Sequence, residues 1–207
     1  MAVDEALERL SFSIVVPLFN EEANVRTLIR RIFDIVGTRS EFRELVLVDD
    51  GSLDRTAEYV EAEASEEPRI RLIRHEVNRG LGGAIRTGLR HATGELVLYT
   101  DADLPFDFSH IPNLISVASG GREARVVIGY RLNRDEGMRR WLLSKFYNLL
   151  ISALFSLRVR DVNFACKVIP GGLARQAMLE SEGSFIDAEI LLEARRFGLD
   201  IEQYPLR

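Results

Sequence analysis

Two aspartates separated by one residue, Asp101 and Asp103, are the residues whose type and spacing point most directly to chemistry. They follow the apolar run Leu96–Tyr99, which has the length of a buried strand. In an extended backbone both carboxylates would face one space, with Ala102 facing away. Two such carboxylates repel each other unless a cation lies between them, and Mg²⁺ or Mn²⁺ prefers oxygen ligands. The alternative is that the acids only turn the chain after the strand.

The two aspartates belong to a chain in which strand-like and helix-like patterns alternate. Helical spacing fills the intervals between four strand-like apolar runs, which lie at 12–16, 44–50, 69–74 and 95–100. This alternation predicts a parallel sheet flanked by helices, and the ligands of such sheets bind beyond the carboxyl ends of the strands. Glu21 and the pair Asp49–Asp50 follow earlier strands, so we expect three acidic strand ends to meet at one edge.

Three local expectations concern the loops at that edge. Pro17 would close the first strand, and Ser52 would cap the second helix. The glycine-rich turn at 78–83 would lead into a helix beginning at Ala84. Its spacing starts like a dinucleotide-binding fingerprint, but Ile85 replaces the third glycine and the turn follows the third strand rather than the first. The glycines therefore either let the turn pack closely or also let a substrate approach the backbone.

The second half of the chain contributes further charged groups. The run Val126–Arg131 is typical of a strand that ends in a cation. The segment 138–157 has helical spacing, is apolar nearly all round and has arginines at both ends. It is either a core helix or an amphipathic helix lying in a membrane interface. Asp187 and Glu189 fall in the first turn of a later helix, where acids can serve only the helix dipole.

Composition limits the classes of protein to which this chain can belong. Its 207 residues, 46% hydrophobic and 29% charged, suit one soluble α/β domain over 1–207. A net charge of −5 argues against general nucleic-acid binding, which requires a basic surface. Cys166 is the single cysteine, and neither a signal peptide nor a spanning segment is evident, so we expect a cytoplasmic location. The strand-like run 199–207 stops where a loop should begin, which suggests a piece of a longer chain.

Four segments in the same order resemble the motifs of family-two glycosyltransferases with the GT-A fold. These segments are Ile14–Glu22, Val48–Ser52, Asn78–Ala84 and Asp101–Leu104. Within that family the chain is most similar to polyprenyl-phosphate glycosyltransferases, the dolichyl- or undecaprenyl-phosphate mannose and glucose synthases. That finer similarity lies in Gly129–Arg131, in Arg140 with Ser144, and in Asp161–Lys167 and Phe185–Glu189. The resemblance implies a nucleotide-sugar half at 1–104, an acceptor half at 105–207 and an attachment to the cytosolic face of a membrane.

The resemblance also implies a role for each matching residue. Asp101 and Asp103 would hold Mg²⁺ or Mn²⁺ on the diphosphate of the donor. The other expected nucleotide contacts are Pro17, Phe19, Glu21, Val48, Asp50 and Ala102. The expected acceptor-phosphate contacts are Arg131, Arg140 and Ser144, and the expected catalytic residues are Asp101, Asp103, Arg131 and Asp187. One position departs from the pattern, because mannose synthases carry Gln two residues after the second aspartate and this chain has Pro105.

The reaction that these roles imply is the inverting transfer of a hexose from a UDP- or GDP-linked sugar to a polyprenyl phosphate. A phosphate monoester arrives ionised at neutral pH, so a general base is not essential and Asp187 would orient the acceptor. One alternative is an acceptor hydroxyl on a carbohydrate or protein, for which Asp187 would be the base. A second alternative is a sugar-nucleotide-binding domain without catalysis. The sequence leaves open the nucleotide, the sugar, the lipid length and the oligomeric state.

Overall fold

Seven strands form a single sheet in the computed structural model, which describes residues 10–120, 124–132 and 159–206, together with 146, 148, 150–152, 154, 155 and 157. The strand order is β3-β2-β1-β4-β6-β5-β7. The strand bounds are β1 Phe12–Leu18, β2 Phe42–Asp49, β3 Ile70–Arg74, β4 Leu96–Thr100, β5 Val126–Arg131, β6 Cys166–Pro170 and β7 Ile201–Leu206. Only β6 runs antiparallel to its neighbours, β4 and β5. The expected mostly parallel sheet is confirmed.

Six helices whose bounds are defined in the described part of the chain, together with a helical segment around residues 146–155, pack on the two faces of the sheet. Their bounds are α1 Val25–Val36, α2 Thr56–Glu66, α3 Gly80–His91, α4 Ile111–Ser119, α5 Gly171–Gln176 and α6 Ile186–Arg196, with a 3₁₀ turn at Phe108–His110. Because side chains alternate along a strand, Ile14 and Val16 of β1 join the core cluster formed with α1, α2 and α4. Val15 joins the cluster formed with α3, α5 and α6. The core is therefore two apolar layers separated by the sheet.

Three of the local expectations were wrong in detail. Pro17 lies inside β1, which is possible because β1 pairs with β4 only as far as Val15, so Pro17 has a strand neighbour on one side only. Ser52 does not cap α2, which begins four residues later; its hydroxyl instead accepts the backbone N–H of Asn20 at 2.9 Å. The glycine-rich turn does not precede α3, because the helix already begins at Gly80.

The segment around residues 146–155 is helical at every residue that the structure describes. Ile151 faces the core and is 2% exposed. Phe146, Leu150 and Leu154 are 65%, 42% and 65% exposed, and their spacing of four places them on one face of the helix. The face with Ile151 matches the interpretation as a core helix, and the face with Phe146, Leu150 and Leu154 has the exposed apolar character expected of an amphipathic helix. Within the described part of the chain, none of the helices has the length and apolar character needed to cross a bilayer.

At the amino edge of the sheet, one buried carboxylate links neighbouring strands. Glu44, which is 5% exposed, accepts hydrogen bonds from the Ser13 hydroxyl at 3.0 Å and from the Thr93 amide and hydroxyl, both at 2.7 Å. Its second oxygen accepts from Arg71 Nη1 at 2.7 Å. Burial alone would raise the pKa of Glu44, but these bonds outweigh it and lower the pKa below 4.5. Glu44 thus connects β1, β2, β3 and the turn before β4.

Candidate active site

A cavity of about 380 Å³ opens at the carboxyl edge of the sheet, beside the ends of β1, β2 and β4 and the start of α3. Seven residues expected to contact the nucleotide line it, namely Pro17, Phe19, Glu21, Asp50, Asp101, Ala102 and Asp103. The other lining residues are Leu18, Asn78, Gly80, Leu81 and Ala84. Asp49 is not among them, because its carboxylate turns to Arg74 Nε at 3.2 Å and to the Ser52 amide at 3.2 Å. The acidic strand ends therefore meet at one edge, with Asp49 facing away from the cavity.

The turn after β4 presents both aspartates, although not in the way expected. β4 ends at Thr100, and Ala102 and Asp103 form a turn, followed by Leu104 at the unusual φ of +56°. The rule of alternating sides holds only for extended backbone, and the Ala102 side chain, 4% exposed, belongs to the core cluster formed with α1, α2 and α4. Ala102 lines the cavity between the two acids.

The negative charge of this turn is only partly compensated, by the nearby charge of Lys167 and by one hydrogen bond. Burial raises the pKa of Asp101 to about 6, and the nearby charges of Asp187 and Asp103 add to that rise. The Tyr99 hydroxyl donates to Asp101 Oδ1 at 3.3 Å and opposes the rise only partly. The pKa of Tyr99 itself is raised by burial and by the same carboxylates. Several negative charges thus lie close together in a partly buried space.

This arrangement fits a hard divalent cation better than it fits a purely structural turn. A cation would relieve the repulsion that raises the pKa of Asp101, and carboxylate oxygens are the ligands that Mg²⁺ and Mn²⁺ prefer. Within the described residues there is no group of three or more His, Cys, Asp or Glu side chains able to hold a metal. Asp101 and Asp103 alone would leave most coordination positions to water or to oxygens of a substrate, which is the usual arrangement at phosphate sites.

The loops after β1 and β2 hold each other at the mouth of the cavity. Asn20 has a φ of +56°, and its side chain accepts the Leu53 amide at 2.9 Å. The Glu21 amide donates to Thr56 Oγ1 at 2.7 Å. Phe19, which these bonds flank, is 46% exposed on the cavity wall. An exposed aromatic ring at this position offers a surface on which a planar ring can stack.

Val48, which the resemblance places at the nucleotide, is not among the residues that line the cavity. Its side chain is fully buried, and it belongs to the core cluster that β1 and β2 form with α3. Gly88 of α3 approaches so closely that a Cβ atom there would lie 3.2 Å from Val48 Cγ2. Val48 therefore packs against the helix, whereas Asp50, just past the end of β2, lines the cavity.

His75 is a site residue that the sequence analysis missed. It follows β3 at the same edge of the sheet, and its Nδ1 lies 2.6 Å from Asp50 Oδ1. The signal was available, because a histidine directly after a strand lies where the acidic strand ends were expected. The partner could not be identified from the sequence, since 25 residues separate His75 from Asp50.

The glycine-rich turn serves close packing as well as the cavity. Gly80 has a φ of +75° and lines the cavity. The Gly82 amide donates to the Glu182 carbonyl at 2.8 Å, and a Cβ atom on Gly82 would lie 2.0 Å from the Ser181 carbonyl oxygen. Glu189 fixes that opposing segment by accepting the Ser181 amide at 3.0 Å. The glycines thus let backbone meet backbone, and Glu189 does more than serve a helix dipole.

Arg131, an expected acceptor contact, lies at the carboxyl end of β5 and is not among the residues that line the cavity. Its Nε lies 3.4 Å from Asp161 Oδ2, and its guanidinium lies over the Phe164 ring at 5.0 Å. The Arg131 side chain is 34% exposed, whereas that of Asp161 is 3% exposed. A buried acid and an aromatic face therefore both contact this cation. The other two expected acceptor contacts, Arg140 and Ser144, lie outside the described residues.

Asp187 is buried in an ion pair, which its position in the first turn of α6 did not predict. Lys167 Nζ lies 2.5 Å from Asp187 Oδ1 and also donates to the Phe164 carbonyl at 2.8 Å. The side chains of Lys167 and Asp187 are 0% and 3% exposed. Burial raises the pKa of Asp187, although the charge of Lys167 opposes that rise. Phe164 thus links the two pairs, since its ring supports Arg131 and its carbonyl accepts from Lys167.

Sequence comparison assigns the chain to a family. The family profile described as "Glycosyl transferase family 2" matches residues 13–181. The chain belongs to this family. The match covers the cavity and Arg131 but ends before Asp187. The expected family is thereby confirmed on more than half of the chain.

Individual relatives of this family-2 chain extend the comparison. It is 32% identical to a dolichyl-phosphate beta-glucosyltransferase of Trichomonas vaginalis over 94% of its own length and 64% of that protein. It is 31% identical to a dodecaprenyl-phosphate galacturonate synthase of Rhizobium johnstonii over 86% of its own length and 53% of that protein. The chain thus spans between about half and two thirds of the length of these two relatives.

A solved structure supports the fold. Glucosyl-3-phosphoglycerate synthase of Mycobacterium tuberculosis, crystallised with Mn²⁺ and UDP-glucose, matches with a TM-score of 0.73 and 24% identity. The match covers 95% of this family-2 chain and 69% of that protein. At this identity the likeness shows the fold alone. The expected GT-A architecture, a mostly parallel sheet flanked by helices, is confirmed.

Proposed function

We propose that this family-2 chain is the catalytic part of an inverting glycosyltransferase that moves a hexose from a nucleotide sugar to a polyprenyl phosphate. Two relatives named for transfer to dolichyl and dodecaprenyl phosphates support this substrate class. We assign donor binding to residues 1–104 and acceptor binding to residues 105–207. The cavity lined by Phe19, Asp50 and Asp101 would take the nucleotide sugar, and Arg131 would face the acceptor phosphate.

The observation that carries the proposal is the ion pair of Asp187 with Lys167. A hydroxyl acceptor needs a general base to remove its proton, and a base must be free to accept one. Asp187 is already engaged by Lys167 at 2.5 Å in a place that water hardly reaches. A phosphate acceptor is ionised at neutral pH and needs no base. The paired Asp187 is therefore better suited to an anionic acceptor than to a neutral one.

Asp101 and Asp103 would hold Mg²⁺ or Mn²⁺, and the Mycobacterium tuberculosis relative crystallised with Mn²⁺ supports this choice. The ion would supply charge stabilisation for the diphosphate that leaves with the nucleotide. The chain's own residues bind and orient the two substrates. Arg131, braced by Asp161 and Phe164, would present its planar guanidinium to two phosphate oxygens of the acceptor. Lys167 would keep Asp187 ionised and immobile next to the reacting groups.

The experiment that tests the acceptor class is transfer of radiolabelled sugar to a short polyprenyl phosphate, with the matching polyprenol as control. Arg131→Ala should raise the KM for the phosphate about ten- to hundredfold, the effect of losing a hydrogen bond to a charged group, and should spare donor binding. Arg131→Lys should restore only part of the affinity for the acceptor phosphate, because the point charge of an ammonium does not reproduce the paired N–H groups of a planar guanidinium.

Arg125→Ala is the matched control for this experiment. Arg125 lies just before β5, and its side chain is 33% exposed, close to the 34% of Arg131 at the other end of the strand. Arg125 Nη1 pairs with Glu202 Oε2 at 2.8 Å. This pair lies at the amino end of β5, whereas the cavity opens at the carboxyl edge of the sheet. Arg125→Ala should leave the KM for the acceptor unchanged. Equal transfer to the neutral polyprenol would show that the acceptor is not a lipid phosphate.

The same proposal includes attachment to a membrane surface, supported by the apolar stripe of Phe146, Leu150 and Leu154. The triple change of these residues to Asp should abolish flotation with anionic liposomes and leave the melting temperature nearly unchanged, since the three side chains point to solvent. Leu53→Asp is the control, because Leu53 is 92% exposed on the loop between β2 and α2, away from the stripe in sequence. A triple variant that still floats would remove the stripe from the proposal, and one that melts far lower would assign it to the core.

A further inference from the structure

Asp50 is held by His75 in a way that leaves one of its oxygens for a ligand. His75 is 6% exposed; its Nδ1 lies 2.6 Å from Asp50 Oδ1, and its Nε2 lies 2.9 Å from Thr87 Oγ1. Both ring nitrogens are engaged, so the imidazole cannot turn without losing both contacts. Its position is thereby fixed between the end of β2 and the middle of α3.

A second donor reaches the same oxygen. The Arg79 amide donates to Asp50 Oδ1 at 2.9 Å, so Oδ1 receives both the imidazole and a backbone N–H. No described residue donates to Oδ2 of Asp50, although the residue is only 3% exposed and lines the cavity. An ionised carboxylate can only accept hydrogen bonds. A ligand that meets Oδ2 must therefore bring a donor.

We propose that His75 is a positioning residue for the donor nucleotide: it orients Asp50 so that Oδ2 accepts a hydrogen bond from a ring N–H of the nucleobase. This inference rests on the proposed function, in that the cavity takes a nucleotide. Uracil at N3 and guanine at N1 carry such a hydrogen, whereas cytosine and adenine present a bare acceptor there, which the carboxylate repels. The site thus selects a keto base over its amino counterpart, and the Phe19 ring at the cavity wall offers the stacking surface.

The test is calorimetric titration of the full chain in buffer with Mn²⁺. Two pairs of nucleotides are compared: UDP with CDP, and GDP with ADP. Within the tighter-binding pair the keto nucleotide should bind at least about tenfold more strongly, as one charged hydrogen bond implies. His75→Ala should reduce that ratio to about twofold by weakening the keto nucleotide alone. His75→Asn, whose amide nitrogen can replace Nδ1, should restore most of the ratio.

His91→Ala is the control, because the His91 side chain is exposed and its ring Nδ1 bonds the Thr87 carbonyl of the same helix at 2.8 Å. It should leave the ratio unchanged. A purely structural role for His75 would lower both affinities of the pair together and would overturn the inference. So would equal affinities in the unaltered chain, the result expected if Oδ2 meets only the ribose. If none of the four nucleotides binds, the proposed function itself fails.

Discussion

Glu44 at the amino edge of the sheet is buried and Asp101 at the carboxyl edge is partly buried, and their surroundings differ. Glu44 receives four hydrogen bonds from Ser13, Arg71 and Thr93, and its pKa is lowered. Asp101 receives one long bond from Tyr99, and burial with neighbouring acids raises its pKa to about 6. A carboxylate that the fold itself satisfies is structural, whereas one left unsatisfied beside a cavity is available to a ligand.

The largest effect should come from the carboxyl edge. Asp103→Asn removes one anionic metal ligand while nearly preserving shape, so transfer should fall at least about a hundredfold, the scale of a charge stabilisation of several kcal/mol. EDTA should have the same effect on the unaltered chain. Asp107→Asn is the matched control, since the exposed Asp107 side chain accepts the Ser109 amide at the start of the 3₁₀ turn, which an Asn oxygen can also do. Full activity of the Asp103 variant in metal-free buffer would exclude a metal role.

Glu44→Gln should instead weaken the fold and spare the chemistry. The change removes the charge that Arg71 meets at 2.7 Å, and we expect a loss of about 2–3 kcal/mol in the free energy of unfolding by urea. Glu95→Gln, at the same edge but exposed, is the control and should change stability little. The rate of transfer per folded molecule should not change. A loss of activity without a loss of stability would contradict the structural role of Glu44.

Asp101→Asn should raise the stability of the fold, whereas Glu44→Gln should lower it. Without metal, the carboxylate of Asp101 is unfavourable in the folded state, so its neutral analogue should raise the free energy of unfolding at pH 7 by about 1–2 kcal/mol. Mn²⁺ should raise the melting temperature of the unaltered chain and not of this variant. A variant that is destabilised like Glu44→Gln would show that Asp101 is satisfied by the fold.

The smallest effect is the pH dependence of these differences. The folded-state pKa of Asp101, about 6, lies above its ordinary 3.8, so the folded state binds the proton more tightly and stability falls as pH rises between these values. The gain from Asp101→Asn should therefore be near zero at pH 4 and fully present at pH 7. The pKa of Glu44 is lowered from 4.5, so its contribution is present above that value and fades in acid. Thermal melts in metal-free buffer between pH 3 and 7 would measure both trends.

Local pattern was sufficient for most of the fold and for the place of the site. The apolar runs predicted the first five strands, β1 to β5, because a buried strand must present apolar side chains in an unbroken row. Asp50, Asp101 and Asp103 were predicted at one edge because parallel strands end together. The backbone within the Asp101–Asp103 turn was not predicted correctly, and the packing of Val48 against α3 was not foreseen. Both depend on where strand pairing stops and on what packs behind it.

The pairings that hold the site together were decided by the tertiary structure alone. Lys167 meets Asp187, Arg131 meets Asp161, and His75 meets Asp50 across separations of 20, 30 and 25 residues. β6 enters the sheet antiparallel between β4 and β5 and aligns Lys167 with Tyr99, next to Asp101. The periodicity of a strand specifies which of its faces is apolar, but it carries no information about its neighbour or its direction. Only the assembled sheet places the buried lysine among the acids.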